Sequence, residues 1–114
     1  SDTLEVNLTV DGALGTDSGV IPEEFVLHQN YPNPFNPSTD IKFSLPISER
    51  VHLVVYDLLG NVVREMVNED LNAGMYTYKW LGENQNGSKV SAGMYFYQIQ
   101  AGSFIQTRKM ILLK

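Results

Sequence analysis

Short runs of β-forming residues recur at 25–31, 39–45, 51–57, 62–67, 75–81, 93–101 and 104–113, and this rhythm constrains the fold more than any other feature of the chain. Turn-forming stretches separate nearly all of them: PNPFNPS, LPISE, DLLGN, NEDLNAG, GENQNGSKVSAG and AGS. No stretch holds a helical period between recognisable caps. Short strands at this spacing predict an all-β fold, an immunoglobulin-like antiparallel β-sandwich of about seven strands.

Alternation within the runs assigns faces. Ile41, Phe43 and Leu45 point one way, and Asp40, Lys42 and Ser44 the other. Tyr76, Tyr78 and Trp80 share a face, which predicts a row of core aromatics with Trp80 at its centre. The last run, FIQTRKMILLK, is apolar on both faces near its end, so it is either central in its sheet or covered by something. One short echo stands out. NAGMYTYKW at 72–80 resembles SAGMYFYQI at 91–99, as two hairpin entries with the same local need.

The charge is uneven. Residues 1–24 hold six acids and no Lys or Arg, while residues 25–114 hold seven acids and eight bases, and no acid follows Glu83. The basic tail is too sparse for a nucleic-acid stripe. Residues 1–10 alternate, with Leu4, Val6, Leu8 and Val10 opposite Glu5, Asn7 and Thr9; they read as the end of a preceding domain or as an edge strand of this one. Residues 11–24 have linker composition. The expected division is therefore 1–24, a neighbour's end plus an acidic Gly-rich linker, and 25–114, the β-sandwich. No apolar run reaches membrane-spanning length, and no signal-peptide pattern opens the sequence.

Catalytic and metal chemistry find little purchase. The chain has no Cys, and His28 and His52 stand singly in strand-like contexts. None of the serines lies in a Gly-x-Ser-x-Gly setting, and no phosphate loop or dinucleotide fingerprint occurs. Loop 82–88 has one acid, Glu83, so a turn built on Asn86-Gly87 is favoured over a calcium site. No cofactor is expected, and the chain reads as non-enzymatic. Denser in constraint is YPNPFNPST, 31–39. Its three prolines fix φ and its asparagines fold back on their own backbone, giving a rigid corner between strands, with Phe35 placed to plug the core.

The stretches FVLHQNYPNPFNPSTDIKFSLP, VVYDLLGNVVREMV, AGMYTYKWLGENQNGSKVSAGMYFYQIQAG and RKMILLK, in this order, resemble the type A C-terminal sorting domain of the type IX secretion system over about residues 25–114. The resemblance implies a non-catalytic signal that directs a cargo protein, upstream in the same polypeptide, across the outer membrane. Its implied partners are the translocon and a sortase-like peptidase that cuts within the 11–24 region. The implied location is the periplasm in transit, then the cell surface or the exterior. Carried over by motif, Tyr31, Pro32, Asn33, Pro34 and Phe35 form the entry corner, Tyr56, Asp57 and Gly60 a hairpin, and Trp80 the core. Gly93, Tyr95, Arg108, Lys109 and Lys114 become candidates for translocon recognition. One departure is plain: relatives carry Trp-Asp-Gly-x-Asp-x-x-Gly where this chain has WLGENQNG, 80–87, with two acids lost. Two other readings stay open. A carbohydrate-binding or cell-attachment module predicts exposed coplanar aromatics. An assembly scaffold is suggested because the middle of the chain also resembles the immunoglobulin-like domain of the flagellar hook-capping protein.

Overall fold

The computed structural model describes residues 21–113. The strand pattern of residues 1–10, most of the linker and Lys114 lie outside the described residues. The elements are β1 (Val26–Leu27), β2 (Thr39–Leu45), β3 (Glu49–Tyr56), β4 (Val62–Leu71), β5 (Gly74–Trp80), β6 (Gly93–Ala101) and β7 (Phe104–Leu112). They form two antiparallel sheets, ordered β1-β2-β5 and β4-β3-β6-β7. This is the predicted immunoglobulin-like sandwich of seven strands.

The core follows the alternation. Ile41, Phe43 and Leu45 of β2 face Val51, Leu53 and Val55 of β3 and Tyr97 and Ile99 of β6, all fully buried. The aromatic row of β5 is graded: Trp80 is buried, while Tyr76 and Tyr78 are half-buried and stack on Phe43 at 5.4 and 5.9 Å. Their strand is the outer one of its sheet, so the row covers the core's flank as well as filling it. Trp80 sits at the end of the core, against Phe35 and Tyr95, and is not its centre.

Two further expectations need correction. The run 25–31 yields a ladder of only two residues: the His28 amide still donates to the Lys42 carbonyl, the Asn30 amide then leaves the sheet for the Tyr97 hydroxyl, and the backbone rejoins β2 only as a single bridge between Tyr31 and Asp40. The stretch NEDL, read as turn, completes β4, pairing up to Leu71 with Glu49. Its charges mark an exposed outer strand, where polar residues guard the edge. Of the two alternatives for β7, the covered one holds: among the described residues it is the outer strand of its sheet. The proline corner covers its end, through Asn33 and Phe35.

Candidate functional site

The Tyr31–Phe35 corner docks on the end of β7. The Phe35 amide donates to the Ile111 carbonyl (2.9 Å), the Leu113 amide to the Phe35 carbonyl (2.8 Å), and the Ile111 amide to Asn33 Oδ1 (3.0 Å). Phe35 thus adds a one-residue parallel bridge beside Leu112, with its ring buried against Trp80. Trp80 in turn meets Tyr95 edge-on at 5.4 Å and donates from Nε1 to the Glu83 carbonyl at 2.9 Å. The Pro32 carbonyl accepts from Thr39 Oγ1 and Asn30 Nδ2, tying the corner to β2. Tyr31 pairs with Asp40 through backbone alone, and its ring is 79% exposed. The peptide bonds preceding Pro32, Pro34 and Pro37 are cis.

A buried polar knot behind the corner escaped the sequence reading. The Tyr97 hydroxyl donates to the His28 carbonyl and accepts from the Asn30 amide, both at 2.7 Å. Asn30 Nδ2 donates to Thr39 Oγ1 at 2.9 Å, and both residues are buried. Burial pushes the Tyr97 phenol up to about 12, against the smaller opposing effects of the Asn30 amide and Arg108. The available signal was a tyrosine on the inward face of an otherwise apolar alternation.

Two local devices each occur twice. In the 57–61 turn, Asp57 Oδ1 accepts the amides of Leu59 and Asn61, both at 2.9 Å, and the Gly60 amide donates to the Asp57 carbonyl. In 84–88, Asn84 Oδ1 accepts the amides of Asn86 and Ser88, both at 3.0 Å, and the Gly87 amide donates to the Asn84 carbonyl. Gly60 and Gly87 take φ of +86° and +84°, a region that glycine enters without steric cost. The Asn86-Gly87 turn is therefore anchored by Asn84, whose side-chain oxygen is committed to amides. The second device is the NAGMY/SAGMY echo. The Tyr76 hydroxyl donates to the Asn72 carbonyl and that of Tyr95 to the Ser91 carbonyl, each reaching back four residues past a glycine of φ +153° or +145°. Nothing lies near where a Cβ on Gly93 would stand, so its backbone conformation sets the need for glycine.

Most of the resembling motifs therefore converge on one end of the sandwich. A cleft of about 210 Å³ separates Asp57, Leu58 and Leu59 from Gly93 and Tyr95. Leu59 at the turn's tip is 87% exposed. The Asn61 amide holds the Asp57 carboxyl below its usual range, while burial, with Asp57's charge second, pushes the Tyr95 phenol up. An apolar cleft of about 280 Å³ lies beside the end of β7, walled by Pro37, Val90, Leu112 and Leu113. Tyr56 ends β3 and contributes pairing to Val62 and Phe96, not turn geometry. Arg108 and Lys109 stand apart, further down β7. Arg108 Nε donates to the Leu27 carbonyl at 2.6 Å, closing the seam between sheets, whereas Lys109 is exposed. Among the described residues no three His, Asp or Glu side chains cluster, and no helix is long and apolar enough to cross a membrane.

Residues 36–103 match the family model of the FlgD Ig-like domain. In structure the chain is similar to dimeric latent PorU from Porphyromonas gingivalis, with a TM-score of 0.63 at 20% identity over 84% of this chain and 10% of PorU. It is similar to PorZ, an essential bacterial surface component of the type-IX secretion system of the same organism, with a TM-score of 0.54 at 15% identity over 88% of this chain and 13% of PorZ. FLGD from P. aeruginosa superposes with a TM-score of 0.51 at 22% identity, over 69% of this chain and 67% of that one. These likenesses are of fold, and the chain spans about a tenth of PorU and 13% of PorZ. A sequence search of curated proteins finds no match.

Proposed function

This chain belongs to the FlgD Ig-like domain family, and from that premise we propose that it is a non-catalytic C-terminal sorting domain that sends an upstream cargo through the type IX translocon. One observation carries the reading. The family match runs from Asn36 to Ser103, and the segments on either side of it, the proline corner and β7, bond to each other. These flanks hold the Tyr-Pro-Asn-Pro-Phe run and the basic ending on which the sorting resemblance leans most. The fold shared with PorZ, a surface component of that system, supports the same reading. On this proposal the domain passes the periplasm and reaches the cell surface, and a sortase-like peptidase removes it within the 11–24 linker. Exposed Lys109, with Lys114, is the recognition element, while Gly93, Tyr95 and Arg108 hold the shape that presents it.

A second reading, an assembly module, is favoured by the family match itself, since the matched region is the immunoglobulin-like unit shared with FlgD. The sugar-platform reading is weakened by Tyr76, Tyr78 and Trp80 turning toward Phe43 and the core.

The test is transport. Residues 1–114 are fused behind a signal-peptide-bearing fluorescent reporter, in a bacterium that has the type IX system. Surface delivery of this fusion, with Lys109→Ala/Lys114→Ala folded but retained in the periplasm, is the expected result. Intact retention of the unaltered fusion in the periplasm overturns the sorting function and leaves the assembly reading. Normal delivery of the double variant removes the lysines from the recognition role alone.

A further inference from the structure

On the outer face of the four-stranded sheet, the row Tyr56–Phe96 ends on β7 at Lys109, with Gln29 beyond it. There a shallow cleft of about 360 Å³ opens, lined by Gln29, Phe96, Thr107, Arg108 and Lys109. Its polar lining is rich in donors. Arg108 directs Nε to the Leu27 carbonyl, and its two Nη groups meet no acceptor among the described residues. The Lys109 ammonium stands in no ion pair among the described residues. The Lys109 amide points away from β6, as its carbonyl does toward Gln29, and no backbone acceptor among the described residues meets it. The Thr107 hydroxyl accepts from Gln98 Nε2 at 2.9 Å, which leaves its own proton to donate. Gln29 commits Nε2 to Asn30 Oδ1 and the Lys109 carbonyl, leaving Oε1 as an acceptor. Phe96, half-buried, supplies an apolar wall, and no carboxylate lines the cleft.

Other cations of the chain are placed differently. Lys79 on β5 is held by Asp40 at 3.0 Å, Lys89 beside the apolar cleft by Glu83 at 3.4 Å, and Arg50 on β3 by Asp70 at 3.6 Å. The cleft beside Trp80 sets Glu65 and Glu83 against Arg64 and Lys79.

We propose that the Phe96–Lys109 cleft binds an acidic sugar, a uronate unit of a polysaccharide, with its carboxylate on Lys109 and Arg108, the C–H face of its ring on Phe96 and a hydroxyl on Gln29 Oε1. Each part follows from the chemistry of the wall. Two cations and unmet N–H and O–H groups, with no carboxylate beside them, select an oxyanion, and a guanidinium takes carboxylate oxygens in pairs. An aromatic wall selects a flat apolar face, and an acceptor beside it takes a hydroxyl proton. The cleft is open to solvent, which suits one unit of a longer chain. The site lies apart from the inward-turned aromatics of β5 and does not rest on the sorting function.

NMR shift titration of the chain 1–114 tests the site with glucuronate, acetate and glucose, which carry both parts of the ligand, the carboxylate alone and the ring alone. Glucuronate is expected to move the amides of Thr107 and Lys109 and the side-chain amide of Gln29. Its affinity is expected to be millimolar, as for a single sugar unit, and about tenfold or more above that of acetate or glucose. Lys109→Gln is expected to bring glucuronate down to the level of glucose, and Phe96→Leu to that of acetate. Unmoved amides of Leu53 and Ile99 show that both variants are folded. Equal affinity for glucuronate and acetate, or no shift at Thr107 and Lys109, overturns the proposal. A tetraglutamate peptide that binds there more tightly than glucuronate assigns the cleft to an acidic protein segment and overturns it as well.

Discussion

Asp57 and Asn84 do the same work with different chemistry. Each offers one side-chain oxygen to two amides, two and four residues ahead, and each is followed by a glycine at the third position. The carboxylate adds charge, and the Asn61 amide that it accepts lowers its proton affinity. A carboxyl depressed in the folded state contributes stability above its unfolded value and loses it as pH falls through the folded one. Asp57→Asn is therefore expected to keep the turn, as Asn84 already does with an amide, and to leave stability at neutral pH nearly unchanged. It is expected to reduce the loss of stability between about pH 4 and the acid limit. Asp57→Ala, which leaves both amides without an acceptor, is expected to lower the melting temperature at every pH. Thermal melts of the three proteins across acid pH decide it; equal acid sensitivity of the wild type and Asp57→Asn would sink the account.

Strand β2 was legible in the sequence because Ile41, Phe43 and Leu45 are buried on one side and Asp40 and Lys42 are more open on the other; Ser44, on the outer side, is buried as well, where β2 pairs with Val26 of β1 and Met75 of β5. The end of β4 was not, because an outer strand carries the same charged residues as a turn. The corner was legible as rigid, since proline fixes φ locally. Its partner was not, because Asn33 and Ile111 lie 78 residues apart and nothing local encodes the contact. The knot at Tyr97 failed for the same reason: the hydroxyl reaches 67 residues back to Asn30. That knot pins the 28–30 segment to β6, and its strength is measurable. Tyr97→Phe removes the acceptor of a buried amide and is expected to cost about 1–3 kcal/mol at neutral pH. The phenol's affinity for its proton is raised on folding, to about 12. Its contribution is therefore whole below the unfolded value of about 10 and is lost as pH climbs above that. Urea melts should show the gap between wild type and Tyr97→Phe narrowing from pH 9 to pH 11. A constant gap, or none, contradicts the assignment of the hydroxyl as a stabilising bridge.

The last strand is structural material of the whole sandwich as much as a candidate address. Met110 and Leu112 are buried in the core, Arg108 ties the sheets together at Leu27, and Phe35 takes its backbone partners from 111 and 113. A chain ending at Ser103 loses all of these at once and exposes β6 as a new edge. Burial of Met110 and Leu112 alone is worth about 1.5–3 kcal/mol each, against a total stability of about 5–15 kcal/mol for a domain. Freeing Phe35 removes a further large contribution. The truncated chain is therefore expected to lose near-ultraviolet circular dichroism and its cooperative thermal transition. This outcome dictates how recognition must be probed. A truncation that unfolds the domain removes every surface together, so failed export would not single out β7. Changes at exposed Lys109 leave the core and the corner in place, and only they separate an address from a fold. A truncated chain that instead melts cooperatively near the full-length temperature would make β7 an accessory strand, removable without collapse, and truncation would then be the cleaner transport test.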